Sequence, residues 1–313
     1  MANTTIDLLT LTATRAQQLL QDGHITTEHL VESCLSQIER HNHAGLHLNA
    51  LISVAPQDQL IAAARRLDAE RASGRLRSPL HGIPFVCKDV FALHSSLALP
   101  TTAGAPCFRS AKAKRTAPLI QHLLDKGMIL IATANLTEFC GLKDADTSVG
   151  WSPVGGQTQS HYVFGGLERD EKIVGHSSAA GSSSGSAVAV AAGMVPLSIG
   201  TEVSGSLVSP ANRAALYCLK PSLGAVDGQG LFSFSECLDC IGGMAKSVED
   251  LATSTAASMA RNEPFDITDL RSDSFKIAFT NVEDWLLPEM MCSWPGDTES
   301  QIVSPHSAFK SIG

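Results

Sequence analysis

Ala179-Ala-Gly-Ser-Ser-Ser-Gly-Ser-Ala-Val-Ala-Val-Ala-Ala-Gly193 runs directly into Met194-Val-Pro-Leu-Ser-Ile-Gly-Thr-Glu-Val-Ser-Gly-Ser206. Two serine-rich turns bracket a short helix of small residues. Runs of Gly and Ser are commonly flexible linkers. A linker, however, is not followed at once by a continuous apolar run and a second Gly-Ser turn. Glycine permits backbone shapes that other residues resist, and such turns gather N–H groups into a cradle for negative charge. The stretch reads as a buried site that activates a serine and stabilises an oxyanion.

Working outward, the flanks alternate between helix and strand. Leu30, Val31, Cys34, Leu35 and Ile38 recur at three- and four-residue spacing within a helical region from Leu11 to about Asn42. Gly23 separates this helix from an earlier one carrying Leu19 and Leu20. A further helix is predicted over Gln57–Ala72, with Leu60, Ala63, Ala64 and Leu67 inward. Ile83–Cys87 reads as a strand, Ala117–Leu124 as a helix and Met128–Thr133 as a strand. After the central stretch a Gly-rich region leads to a helix near Val248–Met259, then to a strand at Phe275–Phe279. Strands alternating with helices predict an α/β architecture. From Cys140 to Ala180 the chain is polar, glycine-rich and without period, as lids and site walls are. Trp151, Tyr162 and Phe164 are its candidates for lining an acyl pocket.

Composition excludes several classes. Charged residues make up 17% of the 313 residues, below the roughly 25% of ordinary soluble domains, which favours a large buried core. The net charge of −8 and the absence of a long Lys/Arg block argue against nucleic-acid and anionic-membrane partners. The longest apolar candidate, Ala187–Ile199, is interrupted by Gly193 and Pro196 and falls short of the roughly 20 residues that span a bilayer. With no signal pattern at the N-terminus, the expected location is cytoplasmic. Cys237 and Cys240 form a lone Cys-x-x-Cys without a second pair, and His41, His43 and His47 follow a helix end. Neither pattern makes a metal site, so no metal and no cofactor are expected.

Three readings compete for the serines. Gly181-Ser182-Ser183-Ser184-Gly185 fits a nucleophile elbow centred on Ser183, but the only later histidine is His306, in the unpatterned tail. A phosphate cradle suits the glycines, yet the P-loop lysine and the dinucleotide-binding glycine spacing are absent. The third is a serine hydrolase that uses lysine as base, because burial lowers a lysine's pKa and frees it to accept a proton. Lys88, at the end of Ile83-Pro84-Phe85-Val86-Cys87, is its candidate.

The segments His81–Asp89, Thr101–Gly104, Ala179–Ser206, Leu219–Pro221 and Leu238–Val248 resemble, in order, the motifs of the amidase signature family. The resemblance runs from about Leu11 to Phe279. It implies an α/β/α sandwich around a mixed, mostly parallel sheet. It also implies a catalytic set of Lys88, Ser182 as bridging serine after a cis bond from Gly181, and Ser206 as nucleophile. Backbone N–H groups of Val203, Ser204 and Gly205 would hold the oxyanion. The chain departs from the family pattern at Ala180 and Ser184 (both usually Gly), Glu202 (Asp), Ser204 (often Gly), Val208 (often Arg) and Gly243 (Pro). Arg213 is the expected substitute for the missing arginine.

The resemblance also implies a longer domain, with strands contributed late in the chain. Residues 1–285 are therefore expected to form a partial amidase-signature domain, incomplete at its C-terminus, and residues 286–313 a divergent tail. The expected partner is a small-molecule amide substrate, with no membrane span; a homo-oligomer is left open. The alternatives are an inactive amidase-like protein kept for binding or scaffolding, and an esterase at Ser183.

Overall fold

The computed structural model describes residues 6–143, 147–173, 175–260 and 291. Thr12 and Thr26 start the first two helices by accepting the amides of Arg15 and His29, the side-chain capping that satisfies otherwise orphaned N–H groups. These helices are α1 (Ala13–Gln21) and α2 (Thr27–His41), and Gly23, at φ +70°, makes the break between them. There follow β1 (Leu51–Val54), α3 (Gln57–Ala72), β2 (Pro84–Lys88), α4 (Pro118–Asp125) and β3 (Ile129–Ala134). A small hairpin, β4 (Trp151–Ser152) and β5 (Gly156–Gln157), precedes α5 (Ser184–Ala191) and β6 (Leu197–Glu202). The described chain continues with α6 (Val208–Arg213), β7 (Tyr217–Cys218), β8 (Cys240–Ala245) and α7 (Val248–Ser258).

Six strands form one mixed sheet in the order β1-β3-β2-β6-β8-β7. Its centre, β3-β2-β6, is parallel, while β1, β8 and β7 pair antiparallel on the flanks. Every residue of β2, β3, β6 and β8 is buried, as expected of a sheet covered on both faces. Since the three central strands run the same way, their carboxyl ends open on one edge. In open α/β sheets that edge is where ligands bind.

The small residues of α5 are explained by its position. Ser184 to Val190 are all buried, and a Cβ on Gly185 would come within 2.1 Å of the Ala50 carbonyl oxygen. The serines are not left unsatisfied: Ser184 Oγ donates to the Ala180 carbonyl at 2.5 Å and Ser186 Oγ to that of Ile199 at 3.4 Å.

The segment read as a Gly-rich connector contains β8. A Cβ on Gly242 would lie 2.1 Å from the Leu219 carbonyl oxygen, so this glycine allows a close crossing inside a strand rather than marking a loop. The short elements β1, β7 and α6 are further additions to the predicted pattern. The predicted strand Phe275–Phe279, the tail 286–313 apart from Met291, and His306 lie outside the described residues. Among the described residues no helix is long and apolar enough to cross a membrane.

Candidate active site

Three segments meet at the carboxyl edge of the sheet. β2 ends in Lys88, which is fully buried. Its Nζ donates to Ser182 Oγ at 2.7 Å and to Thr201 Oγ1 at 3.0 Å, with the Thr201 carbonyl at 3.4 Å. Ser182 Oγ in turn donates to Ser206 Oγ at 2.8 Å. Lys88, Ser182 and Ser206 thus form one continuous hydrogen-bonded chain, buried at the lysine and half-buried at Ser206. The Gly181–Ser182 peptide is cis, where the resemblance puts it. A side chain at Gly181 would crowd Ser184, Thr137 and Val149 within 2.9 Å, so only glycine fits beneath this turn. The backbone fixes the turn further: Thr137 N–H donates to the Ser182 carbonyl at 3.2 Å, and Ser183 N–H to that of Ser206 at 3.1 Å.

Burial pushes the Lys88 ammonium below the ordinary lysine range, against the opposing pull of the nearby Cys140, Asp239 and Glu202. Burial thus shifts the balance towards the neutral form that can accept a proton. Next to it, burial raises the Asp89 carboxyl to about 6, despite hydrogen bonds from Thr102 and Gly104. Asp89 accepts the Thr102 amide at 3.0 Å and the Gly104 amide at 3.2 Å and is in close contact with Thr102 Oγ1. It therefore shapes the turn that lies beside Lys88.

The nucleophile turn is organised by Glu202. Burial pushes its carboxyl up, but the amides of Val208, Leu207 and Gly205, together with Lys220, outweigh this and hold it below the ordinary glutamate range. Leu207 N–H donates to it at 2.7 Å and Val208 N–H at 3.0 Å. The cation paired with it is Lys220, at 3.4 Å, which also donates to the Val203 carbonyl at 2.8 Å. Lys220 therefore fills the role expected of Arg213. Gly205 takes the left-handed conformation of the turn, φ +79°, and Ser204 does not need to. Ala180 does adopt that conformation, at φ +55°. No protein acceptor for the N–H of Val203 or Ser204 is found among the described residues.

Ser183, centre of the elbow reading, is fully buried. Its Oγ is committed to the Thr201 backbone, with the carbonyl at 3.1 Å and the amide at 3.3 Å. Tyr162 and Phe164 project into solvent, 58% and 72% exposed. Sequence reasoning misses the parts played by Thr201, which accepts from Lys88, and by Lys220, which holds Glu202 and the Val203 carbonyl from across the fold. It also misses the part played by Asp89, whose partners lie in the turn at Thr102–Gly104. Cys237 is exposed and Cys240 is buried in β8, both as free thiols. Among the described residues, the one group of three side chains close enough to share a cation is Glu168, Glu171 and His176. His176 stands 3.6 Å from Glu168 and 3.8 Å from Glu171, which pair with it when it is protonated.

The sequence profile of the family described as Amidase matches residues 29–284. The chain is 35% identical over 248 residues to a glutamyl-tRNA(Gln) amidotransferase subunit from Chloroflexus aurantiacus (strain ATCC 29366 / DSM 635 / J-10-fl), covering 77% of this chain and 45% of that protein. Among solved structures, it is similar to the native peptide amidase from Stenotrophomonas maltophilia, with 33% identity and a TM-score of 0.70 over 82% of this chain and 48% of that one. An amidase family protein from Bacillus anthracis str. Ames gives 32% identity and a TM-score of 0.73 over 80% of this chain and 47% of that one. The chain spans about half the length of the relatives it matches. With the family profile matching most of its length and the shared fold at these identities, the chain belongs to the amidase family.

Proposed function

We propose that the protein hydrolyses a carboxylic amide through an acyl-enzyme on Ser206, with Ser182 and Lys88 as the proton relay. The observation that carries this reading is the unbroken chain from Lys88 Nζ through Ser182 Oγ to Ser206 Oγ. A serine hydroxyl is a weak nucleophile without a base in hydrogen-bond reach. With both hydroxyl hydrogens rotated towards the lysine, neutral Lys88 takes the Ser182 proton while Ser182 takes that of Ser206, and Ser206 Oγ bonds to the carbonyl carbon. The N–H groups of Val203, Ser204 and Gly205 face the developing oxyanion, where one donor is worth about 3 kcal/mol. Gly205 N–H also serves Glu202, so Val203 and Ser204 are the principal donors. As the C–N bond breaks, Ser182 returns a proton to the leaving amine. Water then attacks the acyl carbon through the same relay and restores Ser206.

The solved relative from Stenotrophomonas maltophilia is a peptide amidase; the substrate class we assign to this chain is a small linear amide, cleaved in the cytoplasm. The test is treatment of the purified chain with a fluorophosphonate, followed by intact-mass measurement and peptide mapping. One adduct on Ser206, lost in Lys88→Ala, is the expected result. An adduct on Ser183 would replace this reading with the esterase. A folded protein with no adduct would make it an inactive amidase-like binding protein.

A further inference from the structure

Beyond β2 the chain builds a recess whose lining includes none of the relay residues. Phe91 bridges Leu231. On either side of that bridge, Ala92 N–H donates to the Gly230 carbonyl at 2.8 Å and Phe232 N–H to that of Val90 at 2.7 Å. Thr101 Oγ1 ties the returning loop to the Phe91 carbonyl at 2.6 Å. A further segment is fastened beside these: His94 bridges Ala113, its N–H donates to Thr116 Oγ1 at 3.1 Å, and Ala117 N–H donates to the Ala92 carbonyl at 2.7 Å. These pinned segments wall a cavity of about 640 Å³, within the size range of small-molecule sites.

The lining has two characters. Val90, Leu93 and Leu99 are buried apolar wall, and Leu231 is half-buried beside them. Arg109 and Lys112 line the same cavity from exposed positions. Among the described residues no acidic side chain lines it, and neither cation pairs with a carboxylate. Lys114 and Arg115 extend the same charge along the chain. In a protein of net charge −8, this rim is a local excess of the opposite sign.

We propose that this cavity is a separate binding site for a free aliphatic carboxylate of medium chain length. The alkyl chain lies against Val90, Leu93, Leu99 and Leu231, and the carboxylate sits between Arg109 and Lys112. Each half of the ligand answers one half of the lining. Apolar wall favours a hydrocarbon chain by removing it from water. Unpaired cations with no competing acid select an anion, and a guanidinium takes a carboxylate through two parallel hydrogen bonds. The site stands independently of the chemistry at Ser206.

Ligand-observed NMR titrations of the purified chain with octanoate, butanoate and octan-1-ol test it. Octanoate is expected to bind at least about tenfold more tightly than butanoate, because its longer chain buries more apolar surface. Its advantage over octan-1-ol is expected to be about fivefold, the worth of charge pairing at exposed positions, and to shrink as salt is added. Arg109→Gln combined with Lys112→Gln should abolish that second advantage and leave the alcohol's own affinity unchanged. Leu231→Glu should weaken octanoate and octan-1-ol alike; if it fails to fold, the double glutamine substitution decides alone. Equal affinity for octanoate and butanoate, or a preference for octanoate over the alcohol that survives the double substitution, overturns the site. Binding to phosphatidylglycerol vesicles without any response to octanoate also overturns it, and makes the cationic rim a lipid contact instead.

Discussion

The amide of Ser183 donates to the carbonyl of Ser206 at 3.1 Å, so the two serine turns are tied together by main chain as well as by the Ser182–Ser206 hydroxyl contact. Removing either hydroxyl therefore tests chemistry without dismantling the turn. Ser182→Ala is expected to slow hydrolysis of an unactivated amide by about 10²–10⁴-fold, the range of a lost general acid–base. A p-nitrophenyl ester, whose leaving group departs without a proton, should lose much less. Steady-state kinetics on both substrates decide the matter, and equal losses would remove Ser182 from the relay.

Lys88 makes the reaction and the stability depend on pH in linked ways. Burial holds its pKa below lysine's ordinary 10.5, so kcat/KM should rise with pH through a midpoint below that value. The unfolded chain keeps this lysine charged where the folded one does not, so unfolding takes up a proton and stability falls as pH drops. Lys88→Met should abolish fluorophosphonate labelling. Its thermal midpoint relative to the unsubstituted chain should rise as pH falls, with the difference shrinking towards pH 10. A difference independent of pH would mean that Lys88 is charged in the folded protein.

Glu202 has the opposite sign. Its folded pKa lies below the ordinary 4.5, so its contribution is present above that value and is lost as pH falls through the folded pKa. Glu202→Gln should cost about 1–3 kcal/mol at pH 7, since it weakens hydrogen bonds to a charged acceptor. Urea unfolding at pH 7 and again near pH 3 gives the comparison, with the gap closing at the lower pH.

Ala180 occupies a left-handed position, φ +55°, where glycine has no Cβ to accommodate. Ala180→Gly is expected to raise unfolding stability by about 1 kcal/mol. Gly185→Ala, by contrast, drives a Cβ to 2.1 Å from the Ala50 carbonyl oxygen and should cost about 3 kcal/mol. Chemical denaturation of the pair provides the check, and a gain from both would mean that α5 sits less tightly than described.

The elements that the sequence announced are those whose cause is local. The period of Leu60, Ala64 and Leu67 marks α3, which spans Gln57–Ala72, and the apolar runs before Lys88 and Ala134 mark two buried strands, each displaced by a single residue from its expected bounds. The order of the motifs pointed to Lys88, Ser182 and Ser206, and those three side chains do meet. What stayed illegible was long-range. The glycines of β8 look like a loop until Leu219 is seen crossing Gly242. Lys220 reaches Glu202 only once β7 has turned the chain back, so Arg213 looked the better partner. Phe139 meets Phe108 and Phe232 only in the folded chain, whereas Tyr162 and Phe164 share a local stretch and point into solvent.

Because α5 is enclosed from Ser184 to Val190, a chain whose sheet has not closed over it has nothing to hold Ser182 between Lys88 and Ser206. Serine reactivity would then be a census: each molecule that takes up one equivalent of probe is a correctly assembled molecule. A purified sample could be graded by its titre before any substrate is known.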